Sequence, residues 1–511
     1  MGSDRRGEST MRADMNRGTL LGRGGAALVV GAVTFVLGNG HFGRVSSPEG
    51  FRRIPVDDAP RAPGPHPRHA VLAVVDGLAD ADAQALSTVR ALRASWPCLR
   101  TDVGTISLSR PGYAVLSTGL ESDRNGCRSN ADARPIAAQS LWEVAREQGR
   151  EVDAASSVGW WKELFPRGFD GYRVGESPDD LYASALLGDV ALIHSGYLDD
   201  AAHEHGIDSA PFAAAMARID RELGELVGRL DLRRDVLVVT ADHGHVLRGG
   251  HGGRGPRESF TRTCFAGAGV LPGARDAEAS ATIVAPTLAM LAGLPFPRDA
   301  RASADGDDDL DLALSLLDPA QLGRAWLDDR RAQIGRMRAA NPRWADVYAE
   351  GWRRQHLGLA AALGLAALTV VALVRRGPQL GFTLAWLVAT LAAAVGVLRA
   401  MHGRLDLSAI RYATGDWVRP SLAATTLVGV LAIGTHLAVR RDLDVLSRDL
   451  LALSLFGGVL SAAYPLVFGW HLGFPLPDAR LVFLPVLLGI VVLPLAALAT
   501  LVSLLGAWRA R

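Results

Sequence analysis

The stretch "TADHGHVLRGGHGG", Thr240 to Gly253, packs one aspartate, three histidines and five glycines into fourteen positions, in a chain that has 13 histidines in 511 residues. Imidazole and carboxylate together are ligand chemistry for zinc, or for manganese when more oxygen surrounds the ion. Asp242 and His243 are adjacent, so they need a loop to converge, and the glycines around them permit one. His251 follows "RGG", where a turn can swing it back. Far upstream, Asp199 and His203 stand four apart in "DDAAH", a spacing that puts both side chains on one face of a helical turn. Asp76 closes the apolar run "AVLAVV". Each of these residues alone is more often a cap, a surface group or a core group. Three carboxylates at the ends of apolar runs, two with histidines beside them, form a candidate metal set. His194, His205 and His245 are read as ordinary packed or surface histidines.

A metal pair needs something to activate. In "TISLSRPGYAVLSTG", Ser109 precedes Pro111 and an apolar, helix-like run. The ordinary reading of such a serine is a helix N-cap. The same place also points a hydroxyl at the positive end of a helix, where a nearby metal would lower its pKa and make it a nucleophile.

The elements that must position these residues are legible as apolar runs. From His69 to about Arg301, short runs ("AVLAVV", "DVALIHS", "DVLVVT") alternate with helical stretches such as "DSAPFAAAMARIDRELGELVGRL". This alternation predicts an α/β domain with a parallel sheet flanked by helices, whose ligands gather at the carboxyl ends of the strands. Asp76, Asp199 and Asp242 fall at or just beyond such ends.

The rest of the chain differs in kind. Residues 1–23 are basic, and the anchor expected at 24–43 rests on "GGAALVVGAVTFVLGNG", 17 residues, short for a membrane span, which needs ~20. A cleaved signal peptide is the rival reading, but "GNGHFG" offers no clear small-x-small cleavage site, and an uncleaved anchor is preferred. Residues 44–68 are a Pro- and Arg-rich linker. Residues 302–355 carry an acidic run, "DGDDDLDL", read as a solvated loop because it lacks calcium-loop spacing, then an amphipathic connector. Residues 356–511 hold five long apolar stretches with charge confined to the connections, which predicts a bundle of about five transmembrane helices. Trp352, Trp417, Trp470 and Trp508 fall near the predicted ends, where interfacial tryptophan is favoured. Six spans put both termini on one side, and the N-terminal arginines favour a cytoplasmic N-terminus with the α/β domain outside; Arg404, Arg411 and Arg419 run against that bias.

Composition removes some classes. The formal charge is +1 and no basic stripe is present, so nucleic acid is not an expected partner. Cys98, Cys127 and Cys264 match no zinc-ligand spacing and cannot all pair with one another; an extracytoplasmic Cys98–Cys127 disulfide is the lesser reading.

The motifs together resemble the alkaline phosphatase superfamily, in its type I phosphodiesterase and nucleotide pyrophosphatase branch, over roughly His69–Arg298. "VVDG" is similar to the first metal-aspartate motif and "SRPGYAVLSTGL" to the nucleophile segment. "NGCRSN" ends in Asn130 where the family has a phosphate-binding asparagine. "YLDDAAHEHG", "TADHGH" and "GGHGG" carry the remaining ligands. The resemblance implies two divalent metal ions, usually zinc: one held by Asp76, Asp242, His243 and the Ser109 oxygen, the other by Asp199, His203 and His251. It implies that Ser109 attacks phosphorus to form a phosphoserine, while Asn130 donates to a phosphoryl oxygen. Threonine is usual where this chain has Ser109, and aspartate where it has Ile283. Sulfatases of the superfamily have arginine where this chain has Tyr113, which argues against a formylglycine sulfatase.

"HGGRGPRE" and "FAGAGV", with the anchor and multi-span region, also resemble the ethanolamine-phosphate transferases that act on glycolipid (GPI) anchors. The expected function is a membrane-bound metal-dependent phosphodiesterase or phosphotransferase acting on a lipid- or glycan-linked phospho-substrate. A phosphomonoesterase or nucleotide pyrophosphatase is the enzyme alternative, and a transporter with an accessory domain the alternative of another class. The transporter reading predicts ionisable residues within the spans, of which His436 is almost the only one in sequence.

Overall fold

The computed structural model describes residues 4–42, 66–131, 133–175, 188–300, 302–306, 308–374, 380–411, 414–469 and 475–509. Most of the expected linker 44–68, the expected boundary residue Arg301 and the expected interfacial Trp470 lie outside these. The chain divides into an α/β unit, 45–351 with 474–479, and a membrane unit, 1–44 with 352–473 and 480–511.

The α/β unit is built on one eight-stranded sheet: β1 (Ala70–Val75), β2 (Cys98–Asp102), β3 (Val152–Ser156), β4 (Gly171–Val174), β5 (Val190–Ser195), β6 (Val236–Thr240), β7 (Phe260–Gly267) and β8 (Glu278–Ser280), in the order β4-β3-β5-β1-β6-β7-β2-β8. The centre is β5-β1-β6, three parallel neighbours whose residues are all buried. Strands covered on both faces need continuous apolar side chains, which is why "AVLAVV" and "VLVV" show no alternation. One core packs Leu72, Val74, Leu192 and Val238 on one face, and a second packs Val71, Ala73, Ile193 and Val239 on the other.

The sheet is mixed rather than wholly parallel. β7 runs antiparallel to both β6 and β2. The segment after β6 turns back at the same end of the sheet instead of crossing over through a long helix, so the strand it leads into must run the other way. That pairing also corrects the cysteine reading. Cys98 and Cys264 face each other in the β2/β7 ladder and form a disulfide across a separation of 166 residues. Cys127 is buried in the core outside it. Peptide mapping without reductant should recover a Cys98–Cys264 cross-linked pair and an alkylatable Cys127; a Cys98–Cys127 pair would contradict the β2/β7 register.

The acidic run is more than a solvated loop. Asp308 is 2% exposed, accepts from the Ser303 amide at 2.8 Å and pairs with Arg338 at 2.7 Å. Arg338 lies on helix Arg324–Ala340, whose Trp326, Leu327, Ile334 and Met337 join the main core. The carboxylates therefore fasten this helix to the domain.

In the membrane unit, six helices among the described residues are long and apolar enough to span a bilayer: Met15–Leu37 within Asp4–Phe42, the apolar part of Trp344–Val374, Leu380–His402, Gly415–Arg440, Leu443–Phe468 and Ala479–Arg509. The chain is a multi-pass membrane protein. The first helix is longer than the expected segment 24–43. It packs into the bundle: Arg23 pairs with Asp444 at 2.7 Å, and Thr500 Oγ1 donates to Gly24 O at 2.9 Å. Small residues at these contacts allow close helix approach. Of the tryptophans expected at interfaces, Trp352 and Trp508 are exposed, but Trp417 is buried against Phe483 and His402. His436 has an ionisable partner. Asp449, on the second turn of helix Leu443–Phe468, meets His436 Nε2 at 3.1 Å, Thr383 Oγ1 at 3.0 Å and Arg448 at 2.9 Å. The sequence places Asp449 in a connection; the helix start at Leu443 draws it into the bundle.

Candidate metal centre and nucleophile

Three strand ends bring the site together. Because β5, β1 and β6 are neighbours, the residues leaving their carboxyl ends emerge side by side, although Asp76 is far from both Asp199 and Asp242 in sequence. Asp76 follows β1 and its amide donates to Ser195 O on β5 at 3.0 Å. Helix Tyr197–His205 follows β5 and presents Asp199 and His203 on one face, with His203 Nε2 3.4 Å from Asp199 Oδ2. Asp242 and His243 follow β6, and Asp242 Oδ1 accepts from the Gly77 amide at 3.2 Å.

His251 returns through the expected turn. Gly249, at φ +86°, lies so close to helix Tyr197–His205 that an added Cβ would sit 1.8 Å from Ala202 O. Only glycine allows that approach, and it carries His251 to within 3.0 Å of His203 Nε2 and 3.7 Å of Asp199 Oδ1. His251 Nδ1 is 2.8 Å from Ser107 O, while Ser107 Oγ accepts from Gly252 N and donates to Gly253 O. This clamp joins the His251 loop to the segment that runs into Ser109.

Ser109 is the first residue of helix Ser109–Thr118; Leu108 holds the N-cap position. Its side chain therefore does no capping. Its Oγ lies 3.2 Å from His243 Nε2, which is also 3.3 Å from Asp76 Oδ1 and 3.4 Å from Asp242 Oδ2. Asn130 Oδ1 accepts from the Arg110 amide at 3.0 Å, and that orientation leaves the Asn130 amide nitrogen as the outward donor. Beside it, the Arg110 guanidinium lies over the Trp160 ring and pairs with Glu163 at 2.5 Å.

The donor set fits a pair of cations. Asp76 Oδ1 and Asp242 Oδ2 are buried and have no hydrogen-bond partner among the described residues, an arrangement costly for carboxylates unless a cation compensates it. Four atoms each ~2.0–2.1 Å from one tetrahedral ion lie about 3.3 Å apart. The three contacts of His243 Nε2 lie at 3.2–3.4 Å. Those among Asp199, His203 and His251 lie at 3.0–3.7 Å. Two groups meet ligand criteria, Asp76 with Asp242 and His243, and Asp199 with His243, His245 and His251, so His243 belongs to both.

Electrostatics agree. Burial, helped by neighbouring His251, pushes His243 well below the usual imidazole range. Burial likewise pushes His251 down to about 3. Both rings are neutral, with lone pairs ready for a cation. Burial and the charges of Asp76 and Asp199 push Asp242 well above the usual carboxylate range. For Asp199, burial would raise the carboxyl, but the hydrogen bond and charge of His245, with His203 and His251, hold it well below that range.

Two contributors were passed over in the sequence. His194, buried on β5, meets Asp76 Oδ2 at 3.1 Å and Ser156 Oγ at 3.0 Å through its two nitrogens. The Tyr113 hydroxyl donates to the same Asp76 Oδ2 and lies 2.9 Å from His194 Nε2. Together they occupy one oxygen of Asp76 and leave the other facing His243. His245 is the second, at 2.7 Å from Asp199 Oδ1. His205 stays at the surface against Glu204. Histidine spacing alone cannot separate these cases; adjacency to "ADH" was the available signal for His245.

With this geometry in place, comparison with known proteins is informative. A family model for type I phosphodiesterase/nucleotide pyrophosphatase matches residues 112–247, which excludes Asp76, Ser109 and His251. The catalytic subunit of human GPI ethanolamine phosphate transferase 3 is 29% identical over 217 residues, covering 39% of this chain and 20% of that protein. Its mouse counterpart is 31% identical over the same length. A phosphopentomutase of Sodalis glossinidius is 30% identical over 145 residues, 27% of this chain and 34% of that enzyme. The chain thus spans about a fifth of the length of the transferases it matches. Among solved structures, murine ectonucleotide pyrophosphatase/phosphodiesterase 5 aligns with a TM-score of 0.30 at 19% identity, over 34% of this chain and 57% of that one. A 2-O GAG sulfatase aligns with a TM-score of 0.37 at 14% identity, over 46% and 72%.

Proposed function

We propose that this chain, whose α/β unit resembles the alkaline phosphatase superfamily in its type I phosphodiesterase branch, is a membrane-bound, metal-dependent phosphodiesterase or phosphotransferase. Its substrate is a phosphoester carried by a lipid or an envelope glycan. The observation that carries this reading is the Ser109 hydroxyl, at a helix N-terminus and 3.2 Å from a buried histidine that two carboxylates flank.

In this reading Asp76, Asp242, His243 and Ser109 hold one divalent ion, and Asp199, His203 and His251 the other. Zinc suits the donors, with manganese the alternative. Bound there, the ions supply Lewis acidity, neutralising charge on the entering and leaving oxygens. The protein supplies the rest. Ser109 Oγ attacks phosphorus and the leaving alcohol departs, giving a phosphoserine; water or an acceptor alcohol then releases it from the opposite side. The helix amides and the Asn130 amide face the phosphoryl oxygens. Asp76 is oriented by Tyr113 and His194, and so presents its other oxygen without rearrangement.

The extracytoplasmic side is the compartment consistent with a Cys98–Cys264 disulfide and with the N-terminal arginines. The first helix, packed into the bundle through Arg23 and Gly24, fits an uncleaved anchor. In the membrane unit Asp449 meets His436, Thr383 and Arg448, an ionisable cluster that the transporter alternative also predicts, so transport stands as the second reading.

Metal analysis of the purified full chain, with a screen of nitrophenyl phosphodiesters against the monoester, tests the proposal. The expected outcome is about two divalent ions per chain and faster diester turnover. Preference for the monoester would favour the phosphomonoesterase alternative, and a metal-free chain inert on both would end the reading.

A further inference from the structure

We infer that His245 is a positioning residue that clamps the Asp199 carboxylate into the metal centre. The inference rests on the proposed reading of Asp199, His203 and His251 as ligands of one cation.

Distance separates two kinds of contact in the pocket. Ligand atoms of one tetrahedral ion lie about 3.3 Å apart, and the contacts among Asp199, His203 and His251 cluster there, at 3.0–3.7 Å. His245 does not follow the pattern. Its Nε2 is 2.7 Å from Asp199 Oδ1, the length of a charge-assisted hydrogen bond. Its Nδ1 is 3.0 Å from Gly77 O, so both ring nitrogens lie within hydrogen-bond distance of an oxygen. With its side chain 1% exposed, the ring is held at both ends. It ties Asp199, beyond β5, to the residue that follows Asp76 at the end of β1.

The backbone is matched to this ring. Gly77 has φ +77°, and an added Cβ would sit 2.2 Å from His245 Cε1 and 3.3 Å from Asp199 Cα. A side chain at position 77 would expel the imidazole from between the two strand ends. With Oδ1 held by His245, Asp199 Oδ2 faces His203 at 3.4 Å. Fixing a ligand carboxylate in this way preorganises the site, and losing such a partner typically weakens metal binding by ~10- to 100-fold.

The test uses the full-length protein in detergent, as wild type, His245→Gln and His245→Ala. Zinc affinity is measured by chelator competition, ligand geometry by the visible bands of the cobalt(II) form, and folding of the metal-free forms by circular dichroism. Glutamine can place an N–H donor toward Asp199 but is a poor zinc ligand. His245→Ala should weaken zinc by ~10- to 100-fold, and His245→Gln should recover most of that loss. Both variants should keep the wild-type cobalt bands, because the ligand set is unchanged. Shifted bands in His245→Gln, with no recovery of affinity, would make His245 a direct ligand and overturn the inference. Wild-type affinity in both variants would overturn it in favour of packing alone. If His245→Ala fails to fold, the bands and affinity of His245→Gln decide. A wild-type chain that binds neither zinc nor cobalt would instead remove the metal-site reading, and this inference with it.

Discussion

Ser109→Ala is expected to lower phosphodiester turnover by roughly 10⁴- to 10⁶-fold, the scale seen when a nucleophile is deleted from a preorganised site. Bound metal should persist, though more weakly at the centre that loses the Ser109 oxygen. The argument is local. Among the described residues the hydroxyl makes no cap and no backbone hydrogen bond; it meets His243 Nε2 at 3.2 Å. Ser109 is the opening residue of a fully buried helix that also carries Tyr113, so the change to alanine removes one oxygen without disturbing the helix. Asp76, Asp242 and His243 remain to hold the ion. Ser109→Thr should retain measurable activity because it keeps the hydroxyl. Steady-state turnover, read together with metal content per chain, checks both statements. An active Ser109→Ala enzyme would show that water attacks directly.

Stripping the metal should destabilise the α/β unit more than any single surface substitution. Ions that bind the folded but not the unfolded chain contribute about 4 kcal/mol when present at ~1,000 times their dissociation constant. Here their removal also leaves Asp76 Oδ1 and Asp242 Oδ2 buried without partners. The pH dependence has a definite sign. In the metal-free chain the Asp242 carboxyl is raised well above its ordinary value, by burial and by the charges of Asp76 and Asp199. The folded state then binds that proton more tightly than the unfolded chain. Its contribution is full below the unfolded pKa of ~3.9 and is lost as pH rises through the folded value. The melting-temperature difference between metal-loaded and chelated protein should therefore widen as pH rises above ~6.5, where His243, His251 and Asp199, all held below their ordinary values, no longer change protonation. His243→Ala should weaken one ion and His251→Ala the other, so each should reproduce part of the chelator's effect. A chelated protein that melts like the loaded one at every pH would contradict the metal centre.

Much of this was legible before the fold was known. The parallel core strands and the spans follow from local apolar runs, and the candidate order Asp76, Ser109, Asn130, Asp199, His203, Asp242, His243 and His251 from short motifs and the family resemblance they carry. Local signals fail where the answer depends on which strands become neighbours. Cys98 pairs with Cys264 because β2 and β7 lie together, and no spacing along the chain encodes that. Asp449 read as part of a charged connection until the helix start at Leu443 carried it beside His436.

The chain by itself determined which side chains could do chemistry and which strand or helix each belongs to, since periodicity and turn residues act within a few positions. Only the tertiary structure decided which carboxylate each histidine meets and at what distance. His194, His203, His245 and His251 carry the same side chain. What distinguishes them is the length of their contacts with Asp76 and Asp199, from 2.7 to 3.7 Å, set by the adjacency of β5, β1 and β6 and by a glycine at position 77 that leaves room for a ring.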